Sequence, residues 1–298
     1  MTIAPAPAGY ITKRTLGDDV HDFLALRPGA DRFECFKRIM RANWPDMVND
    51  PPRSGEDVSW NPWSERIYRE LCDDRTAHFH GGVRVKVSGL TGAATASKTF
   101  SAGCYAFLWW SISPHNSIVI LTSTTSKMSK RRIWPAIQQM HDTAYDWRTG
   151  RRRVWPFNKV ESQTTIQWIN PATGTVSDKN AIFAKAVGQG ETMAAVLDIR
   201  GLHDERILLV IDEMNGTPEA ICKTIPNLRK GCRDFQVIMI CNPESRMDTA
   251  GRGTEPNDGW GSVTEDVIEW MTKGVADWQL PSGKCLRFDG RDSPNVKL

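Results

Sequence analysis

Lys98 and Thr99 are the first residues whose types and spacing could support chemistry. They follow a β-type run that starts at Val83 and a stretch of small residues, and a helical pattern of apolar residues begins with them. Backbone N–H groups of such a loop, a helix N-terminus and one ammonium can hold a polyphosphate, and a threonine hydroxyl there can ligate Mg²⁺. The pattern predicts a P-loop, with Lys98 exposed before it meets phosphate. The predicted nucleotide-binding residues are Gly92, Ala93, Ala94, Thr95, Ala96, Ser97, Lys98 and Thr99.

Two adjacent carboxylates, Asp212 and Glu213, directly follow the apolar run Ile207–Ile211. Ligands in open α/β sheets bind at the carboxyl ends of buried strands, so this is the pattern of a Walker B strand. Asp212 would hold Mg²⁺, and Glu213 would orient and deprotonate the attacking water. Asn242 ends a further apolar run, Phe235–Cys241, where its carboxamide could sense the γ-phosphate. A plain Asn-Pro turn is the alternative.

Composition limits the class of protein without naming a partner. The 298 residues carry a net charge of +3, which is too small to indicate a nucleic-acid partner by itself. Basic side chains cluster at 127–132 and at 148–153, and each cluster could face either solvent or DNA. Seven cysteines without a C-x-x-C pair suggest reduced thiols. No signal peptide or membrane-spanning run is present, so we expect a soluble protein with no membrane partner.

The rest of the pattern alternates strands and helices. Ser117–Leu121 predicts a buried strand, and residues 126–144 predict a helix that Pro135 starts or kinks. Alternating residues around 165–169 and 181–184 predict a β-hairpin. We expect an N-terminal helical or lid region at 1–80, an ATPase core at 81–245 and a C-terminal part at 246–298, with a mobile loop at 248–259.

Three motifs in this order resemble the ATPase domain of the large terminase subunit of tailed phages. They are the A-A-T-A-S-K-T loop, the L-L-V-I-D-E strand and the I-C-N-P strand end; Ile199-Arg200-Gly201 and the closing F-D-G-R-D-S-P-N segment also look like that family. The chain departs from it in two ways. Ser97 replaces the usual glycine before the lysine, and no arginine stands in the loop.

The resemblance implies an α/β fold of the P-loop NTPase class, with a mostly parallel central sheet flanked by helices, of the additional-strand, catalytic-glutamate (RecA-like) type. It implies Mg²⁺-dependent hydrolysis of ATP that drives viral double-stranded DNA into a procapsid in the host cytoplasm. The implied partners are this DNA, the portal protein, the small terminase subunit and further copies of the chain in a ring. No nuclease activity is expected from this segment, because the chain ends where the family's nuclease domain would begin.

Lys98, Glu213, Asn242 and Arg200 are the expected catalytic residues, and Thr99 and Asp212 the expected metal ligands. Arg200 would reach the nucleotide of a neighbouring subunit as an arginine finger. A salt-bridge role for Arg200, or Arg206 in its place, is the alternative. For the whole protein, an ATP-dependent helicase or DNA-remodelling ATPase, and a degenerate P-loop that binds nucleotide without hydrolysis, stay open.

Overall fold

A computed structural model of the chain describes residues 15–25, 31–52, 60–93, 97–146, 148–187, 199, 201–242, 244–272 and 275–294. Apolar alternation and β-branched residues form the strands. The strands are β1 (His78–His80), β2 (Val83–Gly92), β3 (Ser117–Ser123), β4 (Tyr145–Asp146), β5 (Arg151–Arg152), β6 (Phe157–Val160), β7 (Thr165–Ile169), β8 (Val176–Ala186), β9 (Arg206–Ile211), β10 (Asp234–Cys241), β11 (Trp278–Leu280) and β12 (Gly283–Phe288).

One large sheet carries most of these strands, in the order β11-β12-β2-β10-β9-β3-β8-β7-β6, with β1 beside β2. The six strands from β12 to β8 are parallel to their neighbours, and β1, β11, β7 and β6 are antiparallel additions. Strand β10 lies between β2, which ends at the predicted P-loop, and β9, which ends at the predicted Walker B carboxylates. This confirms the predicted mostly parallel sheet, with an additional strand between the two motif strands.

Helices cover both faces of the sheet. They are α1 (Leu16–Leu24), α2 (Arg32–Asn43), α3 (Pro62–Cys72), α4 (Lys98–Ser111), α5 (Ser126–Arg132), α6 (Trp134–Thr143), α7 (Glu219–Cys222), α8 (Ile225–Leu228), α9 (Thr249–Gly253) and α10 (Val267–Thr272). Within β9 the side chains alternate between the two sides, so Leu208 and Val210 join one apolar cluster while Ile207, Leu209 and Ile211 join the other. Burial on both faces explains the unbroken apolar runs of the central strands.

The helices before residue 80 pack into the same core as the P-loop helix. Phe36 on α2 and Tyr68 on α3 contact each other, with ring centroids 4.9 Å apart, and Phe36 also contacts Tyr105 on α4 at 5.6 Å. The indole of Trp44 donates a hydrogen bond to the carbonyl of Met140 on α6 at 2.8 Å. These contacts fit a helical cap on the core. The domain boundaries at 80 and 245 stay predictions.

Two predicted loops are more ordered than their composition indicates. Strand β2 continues through Ser88–Gly92, which was expected to be loop, because β10 and β12 pair with it on either side up to that point. The expected mobile loop at 248–259 contains α9, whose first turn is capped by the Asp248 carboxylate on the N–H of Gly251 at 2.6 Å. The predicted hairpin is confirmed as β7 and β8.

Candidate active site

Gly92 ends β2 at a point where only glycine fits. Its φ is +102°, and an added Cβ would lie 2.1 Å from the carbonyl oxygen of Phe288 on β12. The next residue, Ala93, donates its N–H to that same carbonyl at 2.9 Å. Strand β12 therefore fixes where the predicted loop leaves the sheet. Ala94, Thr95 and Ala96 lie outside the described residues.

Ser97 occupies the left-handed region of backbone space, with φ +53° and ψ +20°, directly before α4. A non-glycine residue pays about 1 kcal/mol or more for this conformation. Its carbonyl accepts the N–H of Ser101 at 2.9 Å, which starts the helix. Serine here takes the backbone shape that glycine takes without steric cost, so the departure from the usual motif leaves the turn into the helix in place.

Lys98 points back into the loop and is only 5% exposed. Its ammonium donates to the carbonyls of Gly92 and Ala93, both at 2.6 Å, and to Oδ1 of Asn242 at 3.2 Å. Burial lowers the pKa of this ammonium to about 8. The expectation that Lys98 is exposed was wrong, because the loop carbonyls and the end of β10 enclose the side chain. The contact with Asn242 places the carboxamide beside the predicted phosphate position.

Asp212 is buried at the end of β9 and faces Thr99. The Thr99 hydroxyl donates to Oδ1 of Asp212 at 3.1 Å, and the Asp212 N–H donates to the carbonyl of Thr122 at 2.9 Å. Burial is the main cause that raises the pKa of this carboxyl, and the charge of Arg132 opposes the rise. The second oxygen, Oδ2, is buried and has no hydrogen-bond partner among the described residues. Such an orphaned carboxylate oxygen next to a hydroxyl fits the oxygen ligands that Mg²⁺ takes.

Glu213 follows in a left-handed conformation, with φ +55°. One carboxylate oxygen contacts a guanidinium nitrogen of Arg132, and the other accepts the hydroxyl of Thr124 at 3.2 Å. The Glu213 side chain remains 27% exposed, so water can reach it. Two donors from the end of β3 and from α5 thus hold the predicted general base.

The structure brings together most of the predicted site residues. Lys98 and Thr99 meet Asp212 and Asn242, with Glu213 next to them, at the carboxyl edge of β2, β9 and β10. Sequence reasoning missed Arg132, which it had placed only in a basic cluster that faces solvent or DNA. Arg132 and Thr124 belong to the β-α unit between the two motifs. This position in the sequence was the only feature that could have indicated their place in the site.

The two candidate arginine fingers have different outcomes. Arg200 lies outside the described residues. Arg206 begins β9, at the opposite end of the strand from Asp212, and is buried. Its guanidinium donates to the Ser117 hydroxyl at 2.8 Å and to the Trp109 carbonyl at 3.1 Å. Arg206 is therefore a core residue of its own subunit, and the alternative that made it the finger was wrong.

The described residues include no helix that is long and apolar enough to cross a membrane. They also include no group of three or more His, Cys, Asp or Glu side chains that could hold a metal ion by themselves.

Comparisons with known proteins find similarity only among solved structures. No protein-family model and no curated protein matches the chain. The large terminase of a thermophilic bacteriophage, solved in complex with ADP, is 11% identical, with a TM-score of 0.38 over 68% of this chain and 40% of that one. Another crystal form of that terminase is also 11% identical, with a TM-score of 0.37 over 71% of this chain and 42% of that one.

The Phi-28 gp11 DNA packaging motor is 13% identical, with a TM-score of 0.38 over 70% of this chain and 57% of that one. The chain spans about half the length of these structures.

Proposed function

We propose that the chain hydrolyses ATP with Mg²⁺ at the site formed by Lys98, Thr99, Asp212, Glu213 and Asn242. The observation that carries the proposal is that one buried ammonium and one buried, partly unsatisfied carboxylate lie at the same carboxyl edge of the sheet, where Lys98 contacts Asn242 and the next residue, Thr99, contacts Asp212. A P-loop enzyme needs both groups, because the ammonium would bind phosphate oxygens and the carboxylate would hold Mg²⁺.

Each side chain has a role that its contacts make possible. Lys98 exchanges the carbonyls of Gly92 and Ala93 for phosphate oxygens, which are stronger acceptors because they are charged. Thr99 and Asp212 hold Mg²⁺, through a hydroxyl and a carboxylate that already lie 3.1 Å apart. The ion supplies positive charge that stabilises the transferring phosphoryl group.

Glu213 orients the attacking water and takes its proton. Arg132 and Thr124 give its carboxylate one donor on each oxygen, so each oxygen keeps a lone pair that can accept a proton from water. The side chain is 27% exposed, so water can reach it. Asn242 stays in contact with the Lys98 ammonium and senses the γ-phosphate through it.

The wider role rests on the resemblance of the motifs to tailed-phage large terminase subunits. We propose that hydrolysis drives viral double-stranded DNA into a procapsid in the host cytoplasm. In this role the chain would assemble as a ring on the portal protein and receive DNA with the small terminase subunit. Arg200 would act on the nucleotide of a neighbouring subunit. No described residue favours the helicase alternative over this role.

Phosphate release by the full chain tests the proposed activity. We expect turnover that needs Mg²⁺ and that falls at least about 100-fold in Lys98→Ala, the scale for loss of a main transition-state contact. Lys127→Ala, which removes an exposed lysine of α5, is the matched control and should leave DNA-free turnover unchanged. Stimulation by duplex DNA without strand separation would favour the motor over the helicase. Turnover by Lys98→Ala at the parent rate would refute the site.

Mixed assemblies test Arg200. If the arginine acts in trans, Arg200→Ala subunits that are inactive alone should regain turnover when they are mixed with Glu213→Gln subunits, which donate their own arginine. Assembly on portal or DNA is verified first by sedimentation. Assembled Arg200→Ala rings that hydrolyse ATP at the parent rate would show that the arginine is not a finger.

A further inference from the structure

A short two-stranded ribbon stands apart from the large sheet. Strands β4 and β5 pair antiparallel, Tyr145 with Arg152 and Asp146 with Arg151. The turn between them is closed by the N–H of Gly150, which donates to the carbonyl of Asp146 at 2.8 Å. The ribbon follows α6, whose ten residues span about 15 Å. Helix α6 separates the ribbon from α5, where Arg132 contacts Glu213, so the ribbon lies away from the predicted nucleotide site.

The segment around the ribbon holds an excess of positive charge beside an exposed turn. Residues 141–160 contain five basic side chains and two carboxylates, a net charge of +3, which equals that of the whole chain. Arg148, Arg151 and Arg152 are exposed. Arg151 makes no side-chain ion pair in the described part of the chain, and Arg152 comes only within 4.0 Å of Asp142.

The carboxylates near the ribbon are held mostly by donors other than Arg151 and Arg152. Asp142 receives two hydrogen bonds from the Lys159 ammonium, at 2.9 and 3.0 Å, and contacts His141 at 2.7 Å. Lys159 also pairs with Glu161 at 3.2 Å, and Asp146 accepts the backbone N–H of Arg148 at 2.9 Å, which shapes the turn. The exposed guanidinium groups of Arg151 and Arg152 can therefore attract an external anion.

A fourth arginine anchors the ribbon. The guanidinium of Arg153 lies over the Trp155 ring, 4.5 Å from its centroid, and contacts the side-chain carbonyl of Asn43. The N–H of Arg153 donates to the carbonyl of Ala144 at 2.8 Å, which closes the base of the ribbon. The exposed arginines therefore project from a supported element, which reduces the entropy lost when they bind.

We propose that this ribbon binds the phosphodiester backbone of duplex DNA through Arg148, Arg151 and Arg152. The inference deepens the proposed function, which supplies DNA as the partner. Guanidinium groups match phosphate geometry, and the three exposed ones lie within five residues of one another on the ribbon and its turn. Backbone contacts of this kind bind DNA without reading its sequence, as a protein that moves along DNA requires.

Duplex binding by the full chain, measured without nucleotide, tests the ribbon. Fluorescence anisotropy with a labelled duplex of arbitrary sequence gives the dissociation constant over a range of NaCl concentrations. Arg148→Gln, Arg151→Gln and Arg152→Gln are combined in one variant. The matched control combines Arg229→Gln, Lys230→Gln and Arg233→Gln, which removes the same charge from another exposed group. In that group the backbone N–H of Arg233 donates to the carbonyl of Glu205.

We expect the ribbon variant to bind at least about tenfold more weakly at low salt and its salt slope to fall by about 2.7, since each phosphate contact contributes about 0.9. The single variant Arg151→Gln should lower the slope by about 0.9, and it serves if the triple variant folds poorly. The control should change the slope by less than about 1. Nucleotide-dependent turnover without DNA should stay at the parent value in all three.

Several results would overturn the ribbon assignment. These are an unchanged slope in both ribbon variants, an equal loss in the control, or tighter binding of a single strand than of the duplex through the same arginines. A parent protein that hydrolyses ATP but binds no duplex would also overturn it, and would leave the proposed ATPase site standing. Loss of turnover in the Lys98 variant is measured separately, so the two proposals fail by different readouts.

Discussion

The buried ammonium of Lys98 gives the proposed site a measurable link to pH. Burial lowers its pKa to about 8, so at pH 9 about nine in ten ligand-free sites hold a neutral amine. Phosphate oxygens around the amine would restore the charge, because an opposite charge raises the pKa of an amine. Binding of MgATP should therefore take up about 0.9 proton per site at pH 9 and only about 0.1 at pH 7. The apparent affinity should fall about tenfold between those pH values.

Isothermal titration in two buffers with different ionisation enthalpies measures this uptake. Glu213→Gln is the background, so that ATP is bound without turnover. Lys98→Arg is the control: a guanidinium stays charged throughout this range, so its proton uptake should be near zero at both pH values. The reasoning fails if the parent background takes up no proton at pH 9, or if Lys98→Arg takes up as much.

Three further predictions concern the frame around the site. Gly92→Ala should lower the free energy of unfolding by at least about 2 kcal/mol in thermal denaturation, because a Cβ there meets a backbone carbonyl, whereas Gly261→Ala meets open space and should be near neutral. Arg132→Gln removes the charge that lowers the pKa of Asp212, so Mg²⁺-dependent nucleotide binding should weaken more at pH 6 than at pH 8; equal losses would contradict this. Asp234→Asn leaves buried arginines short of a counter-charge and should cost about 3 kcal/mol or more in urea denaturation at pH 7. Because the pKa of Asp234 is lowered in the fold, this difference should persist above about pH 4 and shrink as the pH falls through the folded pKa.

Local sequence was enough to predict the motif strands and where their chemistry lies. The apolar runs that end at Asp212 and Asn242 are buried on both faces, as such runs must be in a parallel sheet. Parallel strands have their carboxyl ends at one edge of the sheet. Because β2 is parallel to β10 and β9, the loop after β2 brings Lys98 to the edge where Asp212 and Asn242 lie. The site could therefore be predicted from three separate motifs, without any contact being known.

The parts that sequence missed depend on partners far along the chain. Arg84 and Lys86 alternate with valines in the β-type run that starts at Val83, and both side chains are buried. Arg84 reaches Asp234, 150 residues away, at 2.8 Å, and Lys86 reaches Glu70 at 2.6 Å. Arg132 was missed for the same reason, since its partner Glu213 lies 81 residues further on. A local pattern carries no signal for an ion pair that only the folded topology creates.

Separate measurements of ATP binding and ATP hydrolysis test the proposed site through the role of Glu213. The two quantities are the affinity for a fluorescent ATP analogue and the rate of phosphate release, for the parent and for Glu213→Gln. We expect Glu213→Gln to bind the analogue with Mg²⁺ as tightly as the parent and to hydrolyse ATP at least about 100-fold more slowly, the scale for loss of a general base. Hydrolysis by Glu213→Gln at the parent rate would show that Glu213 is not the general base.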